Sequence, residues 1–199
     1  MACGADGVEL DVAVTLDDRL VVTHDLVLAG GLTVREHTAA ELPLPLLDEV
    51  LGLAAPENFW FDIEAKSEPG LTPDAVRYAA LLSDAIHRSG ARHRILVRSF
   101  DHDFLRAFHE VEPAVPLSAL IEFESDDWVS IAQAAGASSI SPGYLTVTRE
   151  RVGIAHAAGI RVSVWTVNAR PDWERMRTMG VDAVITDDPC AMVRWQRTI

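Results

Sequence analysis

The stretch GVELDVAVTLDDRLVVTHD (Gly7–Asp25) sets two carboxylates, Glu9 and Asp11, in a run whose other members are mostly valine and leucine. On an extended strand alternate side chains share a face, so Glu9 and Asp11 point one way while Val8, Leu10 and Val12 point the other. In a barrel of parallel strands the apolar set meets the helices and the acidic pair points inward. A plainer alternative for a lone E-x-D is a solvated strand face. The second half, RLVVTHD, is expected to be the return arm of a hairpin turning at Asp17-Asp18. It brings His24 toward the C-terminal end of the strand that carries Glu9 and Asp11.

Outward from this stretch, apolar and β-branched runs recur at Val8 to Val14, Phe59 to Ala65, Ile95 to Ser99, Leu117 to Ile121, Ser138 to Ser141, Val162 to Val167 and Ala183 to Thr186. Helical segments separate them. The clearest is TPDAVRYAALLSDAIHRSG (72–90), with Thr72 as cap, Pro73 at the first helical position and Gly90 closing it. Others are expected in PLLDEVLGLAA (45–55) and at Asp103 to Glu112, Asp126 to Ala135, Arg149 to Ala158, Pro171 to Met179 and Cys190 to Arg197. Such alternation implies an α/β fold with a parallel sheet covered by helices. No glycine-rich dinucleotide loop favours a doubly wound sheet, and polar residues gather at strand C-terminal ends in DIEAK, RSFD and WTVN, which suits a TIM (βα)8-type barrel.

The count is seven βα units, one short of eight. Glycine just before a strand marks helix ends at Gly136, Gly159 and Gly180, and Gly4 in ACGADGVELDV carries the same punctuation with no helix before it. The expectation is a barrel lacking its first βα unit. Residues 1–199 are expected to form one domain, with a short excursion at about 26–45 that holds Gly30-Gly31 and a capping box from Thr38 to Glu41.

With 17 Lys and Arg against 30 Asp and Glu, a formal charge of −13, the chain is not built to hold nucleic acid by bulk electrostatics. An anionic small-molecule substrate would need a bound cation to attract it. No window reaches the roughly 18 consecutive apolar residues of a membrane span, and the start has neither the basic nor the apolar region of an export signal. The expected location is cytoplasmic, with export open should residues precede Met1. Cys3 and Cys190 lack metal-site or disulfide-framework spacing and are expected as reduced thiols.

The acidic pattern returns in FWFDIEAK (59–66), where Asp62, Glu64 and Lys66 alternate with Phe61, Ile63 and Ala65. Two strands thus aim carboxylates at one interior. Unpaired buried carboxylates cost several kcal/mol each, and Lys66 offsets only one of them. Oxygen ligands from Glu9, Asp11 and Glu64 suit a hard divalent cation, Mg²⁺ or Ca²⁺. A histidine such as His24 beside a metal can move a proton near neutral pH, although a lone histidine is more often a surface residue. Trp165 is either core packing or the aromatic wall of a small polyol pocket. No serine sits in a nucleophile-elbow setting, and no Walker loop occurs.

In order, GADGVELDVAVTLDDRLVVTHD, LPLLDEVL, FDIEAK, RSFD, VSVWTVN and GVDAVITDDP resemble the blocks of the glycerophosphodiester phosphodiesterases over essentially the whole chain. The resemblance implies a TIM barrel that hydrolyses glycerophosphodiesters to sn-glycerol 3-phosphate and an alcohol with a divalent cation. Position by position it implies Glu9, Asp11 and Glu64 as metal ligands, His24 as one of two acid/base histidines, Lys66 as the basic residue near the phosphate and Trp165 as the pocket tryptophan.

The family's first strand carries a His-Arg-Gly motif, which is absent from these 199 residues. Impaired activity of the chain as written is therefore expected, and open barrel edges would invite association between copies. Two alternatives stay open: a catalytically inactive scaffold or binding protein, and a phospholipase D-like phosphodiesterase of the same superfamily acting on lipid diesters. The second predicts an apolar lid, for which the 26–45 stretch has too short an apolar face.

Overall fold

The computed structural model describes residues 3–53, 55–122, 125 and 127–199. Contacts group them into two compact units: Gly7–Leu117, and Ser118–Ile199 together with the residues before Gly7.

In chain order the first unit holds β1 (Gly7–Val14), β2 (Leu20–Val22), β3 (Val27–Leu28), β4 (Leu32–Thr33), α1 (Leu47–Leu51), β5 (Trp60–Ala65), α2 (Ala75–Ser89), β6 (Ile95–Ser99) and α3 (His102–Val111). The expected hairpin is present: β2 runs antiparallel to β1 with Ala13 opposite Val21, and Asp18 takes the turn at a φ of 57°. On its other side β1 pairs in parallel with β5, and β5 with β6. Gly7 is required where β1 meets β5, because a Cβ there would stand 2.7 Å from the Trp60 carbonyl oxygen. The excursion after β2 folds into the β3–β4 hairpin and two short 3-10 turns. It buries Leu26, Val34 and Leu42 against Ala13 and Val21. The capping box at Thr38 forms, with its N–H donating to Glu41 Oε2 at 2.8 Å.

α2 shows why sequence pattern yields packing. Tyr78, Ala79, Leu82, Ala85 and Ile86 fall on one stripe at helical spacing and are all buried, and Tyr78 meets Phe104 of α3 at 4.9 Å between ring centroids. Its start corrects the expected cap. The helix begins at Ala75 with Asp74 accepting from the Arg77 N–H at 3.0 Å, while the Thr72 hydroxyl donates to the Glu68 carbonyl at 3.0 Å. Gly90 closes it at a φ of 67°, a left-handed conformation that favours glycine.

The second unit holds β7 (Leu117–Ile121), α4 (Trp128–Ala134), β8 (Ser139–Pro142), α5 (Arg149–Ala157), β9 (Arg161–Val164), α6 (Arg170–Met179), β10 (Ala183–Val184) and α7 (Pro189–Gln196). β7 pairs with β8, β8 with β9 and β9 with β10, all in parallel. Each expected strand occurs in its expected place, which is the alternation that defines an α/β fold of this kind. Asp126 of the expected fourth-unit helix and Ala54 of the first lie outside the described residues.

Cys3 and Cys190 form a disulfide, with their Cα atoms 4.9 Å apart, so the expectation of two reduced thiols is corrected. The cause is spatial. Cys190 lies in the first turn of α7, and Gly4 packs on the same helix, its Cβ position 3.8 Å from Val193 Cγ1. No described helix is long and apolar enough to cross a membrane.

Candidate active site

The site is built by the register of three parallel strands in the first unit. Glu9 on β1 stands opposite Asp62 on β5, and Asp11 opposite Glu64. On the other flank of β5, Glu64 stands opposite Arg98 on β6. Opposed residues of parallel strands project to the same side, so four carboxylates and one guanidinium share a single face. The opposite face carries Leu10, Val12, Phe61 and Ile63, all buried, which fixes the register because a slip of one residue would exchange the charged and apolar faces.

One carboxylate oxygen from each of Glu9, Asp11 and Glu64 lies within 4.8 Å of the others. Lys66 follows β5 and continues its pairing, its N–H donating to the Val12 carbonyl at 3.0 Å. The buried Tyr78 hydroxyl donates to that same carbonyl at 2.5 Å, which ties α2 to the strand end. From this anchored position the Lys66 ammonium reaches Asp11 Oδ1 at 2.9 Å and Glu64 Oε1 at 2.8 Å. Arg98, with 2% of its side chain exposed, donates from Nε to Asp62 Oδ1 at 2.6 Å and pairs through its terminal nitrogen with Asp62 Oδ2.

Crowding like charges out of water shifts their proton affinities. Burial, reinforced by the negative charges of Asp11, Asp62 and Glu64 and offset in part by Arg98, pushes the Glu9 carboxyl up to about 8. Burial likewise raises Asp62 against the opposing pull of Arg98, and raises Glu64 against that of Lys66. For Lys66, burial alone would lower the ammonium, but its bonds to Glu64 and Asp11 carry it above its ordinary value. Three converging carboxylate oxygens are the donor set of a hard cation, and the residues present fit such an ion.

His24 lies just past β2. The Thr23 N–H donates to the Asp11 carbonyl at 3.0 Å, so the hairpin carries the chain back to Asp11 one residue before the histidine. Its side chain is 74% exposed, with Nδ1 2.8 Å from Asp25 Oδ1. Trp165 belongs to the second unit, where its indole N–H donates to the Ser141 carbonyl at 2.8 Å. The sequence pattern put Asp62 on the inward face without a role, and it did not single out Arg98. The signal was an arginine and an aspartate on inward positions of neighbouring buried strands.

Several motif residues have local structural partners. Ser99 of RSFD donates to the Ala65 carbonyl at 2.7 Å, and Asp101 caps α3 through the Asp103 and Phe104 N–H groups, each at 3.0 Å. Asn168 of WTVN donates to Asp187 Oδ2 at 2.7 Å and accepts from the Asp187 N–H at 2.9 Å, locking that segment to ITDDP.

Fold and site define an α/β protein with an acidic face built on adjoining parallel strands. The Glycerophosphoryl diester phosphodiesterase family matches residues 1–191, and the chain belongs to that family, one of phosphoric diester hydrolases. A Glycerophosphodiester phosphodiesterase from Caldanaerobacter subterraneus subsp. tengcongensis is 31% identical, the match covering 99% of this chain and 88% of the relative. The crystal structure of a glycerophosphodiester phosphodiesterase from Parabacteroides distasonis superposes with a TM-score of 0.86 at 27% identity, covering 98% of this chain and 85% of that one. An Oleispira antarctica phosphodiesterase, solved in complex with the product sn-glycerol-3-phosphate, shares the fold with a TM-score of 0.88 at 19% identity over 98% of this chain and 87% of that one. The chain therefore has the α/β barrel-type fold of these enzymes.

Proposed function

We propose that the chain hydrolyses glycerophosphodiesters to sn-glycerol 3-phosphate and an alcohol, with a divalent cation, Mg²⁺ or Ca²⁺, held by Glu9, Asp11 and Glu64. The observation that carries this is the convergence of those three carboxylates on one face of adjoining strands. A bound cation would polarise the phosphoryl oxygens and offset the charge they gain. Lys66, already fixed beside Asp11 and Glu64, supplies a second positive charge for the phosphate. His24 moves the proton, with Asp25 on Nδ1 orienting the ring and leaving Nε2 as the nitrogen that exchanges it. The pocket role expected of Trp165 rests on the family resemblance alone.

The 199 residues contain no His-Arg-Gly histidine to work beside His24. Loss of one acid/base group typically costs about 10²- to 10⁴-fold in rate. The 199-residue chain is thus expected to turn over slowly, and addition of a segment bearing His-Arg-Gly to raise the rate.

The test is release of sn-glycerol 3-phosphate from glycerophosphocholine with and without Mg²⁺ or Ca²⁺, for the chain and for Glu64→Ala. Cation-dependent release abolished by Glu64→Ala supports the proposal. Release that survives chelation, or a chain that binds no cation at millimolar concentration, overturns it.

A further inference from the structure

The carboxylate face holds more acid than its resident cations balance. Glu9, Asp11, Asp62 and Glu64 bring four formal negative charges, against two positive charges from Lys66 and Arg98. With all four carboxylates ionised, the state a bound cation would hold, the deficit of these six side chains is two. Lys66 is shared between Asp11 and Glu64, whereas Arg98 holds both oxygens of Asp62 and is itself almost wholly buried. Its guanidinium therefore acts on the cluster through its charge and through Asp62, and burial limits the screening of that charge by salt.

We infer that Arg98 is the positioning residue that sets the valence of the cation this site prefers, holding the charge deficit of the face at two. This rests on the proposed cation site of Glu9, Asp11 and Glu64. Two physical points support it. The β5–β6 register puts Arg98 directly beside Glu64, so its charge acts on that proposed ligand at short range. In a buried site Coulomb energies are weakly screened and scale with the charge of the incoming ion, so one extra negative charge favours a trivalent ion over a divalent one of similar size. The electrostatic influence of Arg98 on both Glu9 and Glu64 follows from the same placement.

Loosening of the strands would weaken every cation alike. A change in net charge alters the ratio between ions of different charge. The readout is therefore the ratio of Tb³⁺ to Ca²⁺ affinity, two ions of closely similar radius, measured on the full chain by titration calorimetry with competition. Arg98→Met is expected to raise that ratio about tenfold, and Arg98→Lys, which keeps the charge, to leave it at the wild-type value. Asp62→Asn, which reduces the deficit to one, is expected to lower the ratio. The double variant Asp62→Asn/Arg98→Met, which restores a deficit of two, is expected to return it to wild type.

If wild type binds Ca²⁺ while Arg98→Met leaves the ratio unchanged or lowers it, the assignment to Arg98 is overturned and the cation site stands. If wild type binds neither ion, both fall. Should Arg98→Met fail to fold, the Asp62→Asn measurement decides: a ratio not below wild type overturns the assignment.

Discussion

Asp11 and Glu64 stand opposite each other on parallel strands and share one ammonium, that of Lys66, at 2.9 and 2.8 Å. A cation shared between two carboxylates is an incomplete neutralisation, because Glu9 adds a third carboxylate oxygen within 4.8 Å of both. The face is thus poised to accept positive charge.

Glu64→Gln removes one of the three converging oxygen charges and keeps the side-chain shape. Divalent cation affinity should fall at least tenfold, since a charged ligand in a weakly screened site contributes on the order of 1.4 kcal/mol or more. Calorimetric titration with Ca²⁺ and Mg²⁺ measures it, with circular dichroism checking that the fold is kept. Unchanged affinity would remove Glu64 from the ligand set.

Lys66→Met leaves Asp11 and Glu64 without their shared partner. Uncompensated buried charge costs roughly 3–5 kcal/mol when a pair is broken, although partial protonation of the carboxylates would lessen it here. The cation-free variant should therefore melt well below wild type, and millimolar Ca²⁺ should recover more of its melting temperature than it adds to wild type. Equal shifts in both proteins would count against the shared face.

Glu112, 2% exposed at the end of α3, is the clearest acid-sensitive group away from the site. Burial alone would raise its carboxyl, but hydrogen bonds from Ser83 at 2.8 Å and from His87, with Arg92 at 2.9 Å, hold it below the usual glutamate value. A depressed folded value means stability present above the unfolded glutamate value of 4.5 and lost as pH falls through the folded one. Urea midpoints measured from pH 6 downward should fall across and below pH 4.5, and Glu112→Gln should flatten that slope while lowering stability at neutral pH. An unchanged slope in the variant would assign the acid sensitivity elsewhere.

Alternation made most of this legible in sequence. In GVELDVAV and FWFDIEAK the period of two separated acid from hydrophobe, and the strand positions of Glu9, Asp11, Glu64 and Lys66 followed from it. Arg98 was harder to see. In ILVRS it is the single charge in a buried strand, and its meaning comes only from pairing β6 beside β5, a contact between segments more than thirty residues apart. The cap of α2 slipped from Thr72 to Asp74 because both residues can cap and sequence does not decide which hydroxyl or carboxylate the backbone turns toward. Cys3 and Cys190 defeat any spacing rule, being 187 residues apart.

The Cys3–Cys190 disulfide gives the last prediction. It ties the segment before β1 to the first turn of α7, within one compact unit. Because it closes a loop of 187 residues, it restricts the unfolded chain far more than a short-range bridge, and bridges of this kind commonly contribute about 2–4 kcal/mol. Thiol titration under denaturing, non-reducing conditions should find no free cysteine, and reduction should expose two thiols. The reduced protein and Cys190→Ser should both unfold at lower denaturant than the oxidised chain, and by the same amount, since each removes the same constraint. A reductant effect that persists in Cys190→Ser would place its cause outside this bond.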